Sequence, residues 1–338
     1  LARHWLDRCC REHDKCVTDT NTLPTRLVRL SPSCENYISL CITDEEEEKP
    51  TGYTALSHCW GGAEDTLQLT TKSLSQLLEG VPCAELPKNF QDAVTITKWL
   101  GLKYIWIDSL CIIQDSKEDW AKEVTTMASV YKNATCTIVT ATSPDSHHSC
   151  FAERDLLRSL PCKVPVPGGM QWPTADACKR ELYAMRHSRL QTRGWIYQEL
   201  VLSPRKLVFT ESGIIWTCKT CTSVDTIPGT EGPQEESAVL EKIAKLTLSD
   251  KIYQADFNQL WWSVASAYSK RHLTKPEDKL VALSAIAHEV QKMTGFNYVA
   301  GLWAEMLPLG LFWEVYKPKV EDRNRPYRAP SWSWASIE

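Results

Sequence analysis

Apolar positions along this chain recur in two different periods, and each change of period marks an element. Residues 1–16 (LARHWLDRCCREHDKC) read as a short helix anchored by Trp5 and Leu6. LPTRLVRL and ENYISLCIT alternate like the arms of a hairpin, the second running into the acidic stretch Asp44 to Glu48, expected as a solvated tip. YTALSHCW (53–60) is predicted as a buried strand ending in Gly61-Gly62, and 66–82 as a polar helix-and-loop stretch. LPKNFQDAVTITKWLGL reads as an amphipathic helix with Phe90, Ala93, Val94, Thr97 and Leu100 on one side and Gly101 as its C-terminal cap. KYIWIDSLCII is a nearly continuous apolar run, as expected of a central parallel strand covered on both faces. SKEDWAKEVTTMASVYKNA is a second helix, capped by Ser116 with Asp119 three residues on, and TCTIVTAT is the next strand.

This order predicts an α/β fold: a parallel central sheet flanked by helices, joined by right-handed crossovers. Proline and glycine interrupt the pattern from 143 to 187, which reads as an insertion carrying edge hairpins. TRGWIYQELVLS is predicted as a helix beginning near Arg193, and KLVFTESGIIWTC as a β-hairpin turning at Glu211 to Gly213. Residues 222–237 read as a polar linker. The remainder, 238–338, reads as a helical C-terminal extension packed on the core, with aromatic-rich faces such as LWWSVASAYS and an extended tail PYRAPSWSWASIE. The organisation expected is therefore one domain over 1–221, with its α/β core at about 50–142 and 188–210.

Composition narrows the class. Hydrophobic residues make up 43% and charged residues 24%, ordinary for a globular protein, and the formal net charge of -4 provides no basic field for nucleic acid or an anionic membrane. No apolar run reaches the roughly 18 residues that span a bilayer, and no secretory h-region opens the chain, so a piece of a longer cytoplasmic protein is expected. The fourteen cysteines would suggest disulfides in a small secreted protein. Here several lie inside apolar runs, Cys111 and Cys136 among them, where reduced thiols pack as small hydrophobes. Two spacings have the look of metal half-sites, Cys10-x2-His13-x2-Cys16 and Cys218-x2-Cys221. Zinc needs four soft ligands, and two such halves can meet in space. Neither half has the turn glycines of a zinc knuckle, and packing of one helical face explains the first spacing, so no metal or cofactor is expected.

The blocks YTALSHCWGG, LPKNFQDAVTITKWLGLKYIWIDSLCIIQDSKEDWAKEVTTMASVYKNATCTIVTA and TRGWIYQELVLSPRKLVF, with flanks WLDRCCREHDKC and RAPSWSWAS, together resemble the fungal heterokaryon incompatibility (HET) family. That resemblance implies a role in nonself recognition and programmed cell death, with self-association when active and incompatibility or NLR-type proteins as partners. Such domains are considered distantly TIR-like, which implies a TIR-like or flavodoxin-like core. Trp195-Ile196-Tyr197-Gln198-Glu199 has the W-x-x-x-E form in which TIR enzymes carry the glutamate that cleaves the nicotinamide–ribose bond of NAD. NAD is then a substrate rather than a cofactor.

The chemistry suits those residues. Breaking an N-glycosidic bond develops positive charge on the ribose, which a sheltered carboxylate stabilises. Trp195 and Glu199, one helical turn apart, would share a face, with the indole stacking on a flat ring. On this reading Glu199 is catalytic, and Arg193, Trp195 and Gln198 line the substrate site. The alternative is structural, with Trp195 a core anchor and Glu199 paired with Arg193 or Arg205. Asp108, at the end of YIWID, lies where parallel sheets bind ligands, and with Ser109 and Gln114 it would share a cleft with the Ser57–Gly62 loop; equally it would cap the following turn. Trp60 and Gly61 either line that cleft or pack. Ser57 and His58 are adjacent in a strand and point to opposite faces, which argues against a Ser–His pair; Cys111 with His58 is the remaining nucleophile reading, against burial of the thiol. The fourteen tryptophans serve as core and interface filling, some near the C-terminus being candidates for an association surface. Two further functions stand beside NAD cleavage: a non-enzymatic signalling and oligomerisation module, or a HET-fold enzyme acting on a small metabolite in fungal secondary metabolism.

Overall fold

The strand–helix–strand pattern in the middle of the chain folds into one large sheet, seen in a computed structural model that describes residues 1–31, 36–61, 67–154, 164–166, 169–171, 183–226, 231–232, 238–247, 254–315 and 327–337. Gly62 lies outside these residues, as does about half of the 143–187 insertion. The chain forms two compact units, Leu1–Gln191 with Leu202–Gln234, and Thr192–Val201 with Glu235–Glu338.

The first unit begins with helix α1 (Ala2–Glu12) and the antiparallel hairpin β1 (Arg26–Leu30) and β2 (Tyr37–Ile42). Strand β3 (Thr54–Ser57), helix α2 (Leu74–Glu79) and the short β4 (Val81–Pro82) lead to α3 (Lys88–Trp99) and β5 (Tyr104–Trp106). A helical turn α4 (Asp108–Cys111), the long α5 (Lys117–Asn133) and β6 (Cys136–Thr140) follow. A separate pair, β7 (Val164–Val166) and β8 (Gly169–Gln171), falls in the expected insertion. Helix α6 (Gly194–Leu202) precedes β9 (Arg205–Phe209), β10 (Ile214–Cys218), β11 (Thr222–Val224) and β12 (Glu231–Gly232). The last two strands occupy the stretch expected as a linker.

The sheet has ten strands in the order β12-β11-β10-β9-β6-β3-β5-β1-β2-β4. Its centre, β9-β6-β3-β5, is parallel, and the hairpins at both sides are antiparallel. The protein is thus a mixed α/β fold with a parallel centre. From β3 the chain steps one way to β5 and then back across β3 to β6. Crossovers of one hand demand that the two connecting helices lie on opposite faces. Neighbouring side chains show that they do: Thr54 Oγ1 meets Thr97 Oγ1 of α3 at 2.6 Å, while Tyr53 donates its hydroxyl to Val130 O of α5 at 2.7 Å. Because both faces are covered, every residue of β3 and β6 is buried, as a continuous apolar run requires.

Local signals set the element ends. Ser116 Oγ accepts from the Asp119 amide at 3.1 Å and opens α5. Gly101, at φ +75°, closes α3, with the Leu102 amide reaching back to Thr97 O at 3.1 Å. One expectation fails: the apolar run 103–113 is not a single strand. It stops at Trp106, and residues 108–111 coil into a turn that buries Leu110 and Cys111. A short apolar run satisfies a buried helical turn as well as a strand, so periodicity does not separate them.

The second unit contains α6 and three further helices, α7 (Ala238–Thr247), α8 (Gln254–Ser269) and α9 (Val281–Thr294), plus a two-stranded ribbon β13 (Tyr298–Val299) and β14 (Leu302–Trp303). The indoles of Trp261 and Trp334 both donate to Gly301 O, at 2.8 and 2.9 Å, and Trp261 meets Trp303 edge-on at 5.1 Å. These three tryptophans are buried filling. Among the described residues no helix is long and apolar enough to cross a membrane.

Candidate functional site

In an open sheet with a parallel centre, ligands bind beyond the carboxyl ends of the strands where the strand order reverses, here at β3. The chain leaves β3 through Ser57, His58, Cys59 and Trp60, and leaves β5 at Asp108. The Asp108 carboxylate is held from both sides: Trp60 Nε1 donates to Oδ2 at 2.7 Å, and the Ser109 amide donates to Oδ1 at 2.8 Å. His58 Nδ1 lies 4.0 Å from Oδ1, its ring buried edge-on to Phe90 at 5.1 Å. An aromatic N–H, a carboxylate and an imidazole therefore converge at the end of the parallel strands, with the Asp108 side chain still 19% exposed.

The loop after β6 forms the rim. Gly61 sits at φ +81°, and a Cβ there would come within 2.3 Å of the Asp145 Cβ. The Ser146 hydroxyl donates to Trp60 O at 3.1 Å. Asp145 binds the His148 ring at 2.7 Å, and this hydrogen bond holds its carboxyl below the usual range. Ser149 Oγ and the Cys150 amide both donate to Asp92, which fastens the rim to α3.

Further along the same carboxyl edge, past β6 and β9, lies a hollow of about 640 Å³. Its lining includes Thr142, Glu153, His187, Arg189, Thr210 and Glu211. The volume falls within the range of small-molecule sites, and the lining mixes polar and charged side chains with Ala141, Pro144, Ala152 and Ala184. Sequence reasoning missed this hollow: Thr142, Glu153, His187 and Arg189 sit in or beside the stretch with weakest periodicity, Thr210 and Glu211 read only as part of a hairpin, and none carries a motif.

Ser57 is fully buried in β3. Cys111 is likewise fully buried, and that burial pushes its thiol well above the ordinary range, so it packs as a neutral core residue rather than a nucleophile. Gln114 spends its amide on Asp108 O and Ile112 O, at 3.2 and 2.9 Å, bracing the turn that presents Asp108.

Arg193, Trp195, Gln198 and Glu199 belong to the second unit. There Gly194 packs so closely on Leu273 that a Cβ would meet it at 2.5 Å, and the Gly194 amide donates to His272 O at 2.7 Å. Arg193 forms a single bridge with His272. The Trp195 side chain hydrogen-bonds Asp278, whose carboxyl is raised by burial. Tyr197 carries the Arg271 guanidinium 4.9 Å over its ring. Gln198 and Glu199 are 2% and 4% exposed. Arg205, considered as a partner for Glu199, directs its guanidinium to Cys9 Sγ at 3.3 Å and Thr135 O at 3.2 Å.

Comparison with known proteins gives one match: the family model described as "Heterokaryon incompatibility protein (HET)" covers residues 53–199, from the residue before β3 to Glu199 itself. No curated protein and no solved structure matches. The matched span contains the parallel strands β3, β5 and β6, the Trp60–Asp108 pair and the W-x-x-x-E helix. Residues 53–199 are therefore identified as a heterokaryon incompatibility (HET) domain.

Proposed function

We propose that this HET domain is a cell-death effector of TIR type that hydrolyses the nicotinamide–ribose bond of NAD, with Glu199 as its essential carboxylate. The observation that carries the reading is the burial of Glu199, 4% exposed on α6, one turn after Trp195. Keeping a carboxylate out of water costs several kcal/mol, and proteins retain that cost where a sheltered negative charge is used. As the bond from ribose C1′ to the pyridinium nitrogen breaks, its electron pair leaves with neutral nicotinamide. The ribose carries the positive charge, which the Glu199 carboxylate stabilises. Water then adds to C1′ and releases a proton, leaving ADP-ribose. Nicotinamide is a good leaving group because it departs from a cationic ring, so no second acid is required.

The strand order 2-1-3-4 among β3, β5, β6 and β9, taken as first to fourth, agrees with a flavodoxin-like or TIR-like core. Self-association of active chains follows from the TIR reading.

The test is nicotinamide release by purified protein at high concentration with NAD. Glu199→Gln keeps the shape of the side chain and removes its charge, and should lower turnover about 100-fold or more at unchanged folding. Undiminished turnover by that variant removes Glu199 from the chemistry. Absence of turnover in the parent, with cell killing intact in both proteins, selects the non-enzymatic signalling module instead.

A further inference from the structure

The first unit gathers four soft ligands that no strand-end chemistry uses. Cys9 from the last turn of α1, His13 at its C-terminal cap, Cys16 from the short 3₁₀ turn Asp14–Cys16, and Cys218 at the end of β10 place one donor atom each within 4.8 Å of one another. Cys9, Cys16 and Cys218 are fully buried. His13 Nδ1 lies 3.4 Å from Cys218 Sγ. We infer that Cys9, His13, Cys16 and Cys218 form a closed, tetrahedral structural zinc site that ties α1 to the β9–β10 hairpin.

Geometry supports zinc. With Zn–S near 2.3 Å and Zn–N near 2.1 Å, tetrahedral ligand atoms stand about 3.5–3.8 Å apart, so the His13–Cys218 separation already fits and the widest one closes by about 1 Å. Three thiols and one imidazole, with no carboxylate among them, form a soft donor set suited to zinc rather than to magnesium or calcium. Four protein ligands leave no open position, as in a structural site rather than a catalytic one.

The surroundings are those of thiolates. The amides of Thr220 and Cys221 both donate to Cys218 Sγ at 3.4 Å, and Arg205 Nε donates to Cys9 Sγ at 3.3 Å. Thr220 Oγ1 lies 3.9 Å from Cys16 Sγ. Such donors around the sulfurs orient and stabilise metal-bound thiolates. Charge also balances: three thiolates with Zn²⁺ leave one negative charge, and Arg205, 4% exposed, brings one positive charge to the cluster. The two half-sites seen in the sequence do meet, with two changes of member: Cys9 takes the place of Cys10, and Cys221, its Sγ 3.8 Å from Cys218 Sγ, stands beside the four rather than among them. Cys9 faces the cluster, whereas its neighbour Cys10 is exposed.

The test uses the full chain, produced with zinc supplied and purified without chelator. Elemental analysis should find about one zinc per chain, and Cys16→Ser and Cys218→Ser should lose it, while Cys10→Ser keeps it. In case the serine variants do not fold, Co²⁺ exchanged into the parent protein should give intense tetrahedral d–d bands and a thiolate-to-cobalt charge-transfer band. His13→Cys should retain the metal and shift those bands towards an all-sulfur site. A parent protein that takes up no zinc, an octahedral cobalt spectrum, or loss of metal on Cys10→Ser equal to that on Cys16→Ser would overturn the assignment. None of these readouts depends on NAD turnover, so this inference and the proposed reaction fail separately.

Discussion

Arg26→Ala probes the frame that holds Asp108 in place. Arg26 enters from β1 into the interior, 6% exposed, and its guanidinium meets three partners on two elements, α4 and α5. Its Nε donates to Cys111 O at 2.9 Å, and its Nη2 reaches Asp119 at 2.5 and 2.6 Å and Glu123 at 3.5 Å. Asp119 in turn accepts from the Ile113 amide at 2.8 Å, so the ion cluster grips the 108–113 turn at its C-terminal side, through Cys111 and Ile113. Removing the cation leaves Glu123, 2% exposed, and Asp119 facing each other in a poorly hydrated site. Breaking a buried pair from one side costs about 3–5 kcal/mol, a large share of the 5–15 kcal/mol that holds a typical domain together. Urea unfolding should show the midpoint fall at unchanged slope, and the loss should persist in 1 M salt because buried charges are poorly screened. Replacing all three members with apolar residues of matched volume should recover most of the stability. A loss below about 1 kcal/mol, or one that salt abolishes, would mean the cluster is hydrated and would refute the reasoning.

Three shorter tests bear on the strand-end site. Trp60→Phe keeps the ring and deletes the N–H bound to Asp108, and should cost about 1.5–3 kcal/mol by denaturant unfolding, since the acceptor is a carboxylate. Gly61→Ala should cost about 1–2 kcal/mol from the positive φ alone, with more from the Asp145 clash; hydrogen exchange should show the 144–148 loop loosened. The Asp145 carboxyl, lowered by its His148 hydrogen bond, adds stability at pH above its unfolded value, and that contribution is lost as pH falls through its folded value. His148→Ala should move the Asp145 titration up towards the ordinary carboxylate value in an NMR experiment, and an unmoved titration would remove His148 as the cause.

Much of the first unit was legible in the residues themselves. Amphipathic spacing placed α3 and α5, and Ser116 and Gly101 marked their ends, because capping is decided by neighbours along the chain. The alternating β9–β10 pair was equally plain. What local pattern could not decide was the outcome of the run 103–113, where a strand and a buried helical turn satisfy the same apolar residues. Nor could it assign residues 222–232 to strands: β11 and β12 are short and polar, and they pair only because β10 offers an edge.

The sequence by itself determined the HET domain over residues 53–199, the covered parallel centre and the identity of the chemical groups available, since these rest on residue type and on periods of two and 3.6. Tertiary structure alone decided which groups meet. Trp60 and Asp108 lie 48 residues apart and share a hydrogen bond because β3 and β5 are neighbours in the sheet. Cys9, rather than Cys10, joins Cys218 across more than half the chain, because the pitch of α1 turns one sulfur inward and its neighbour out to water. Distances of that kind arise from packing a folded sheet against a helix, and spacing along the chain carries no record of them.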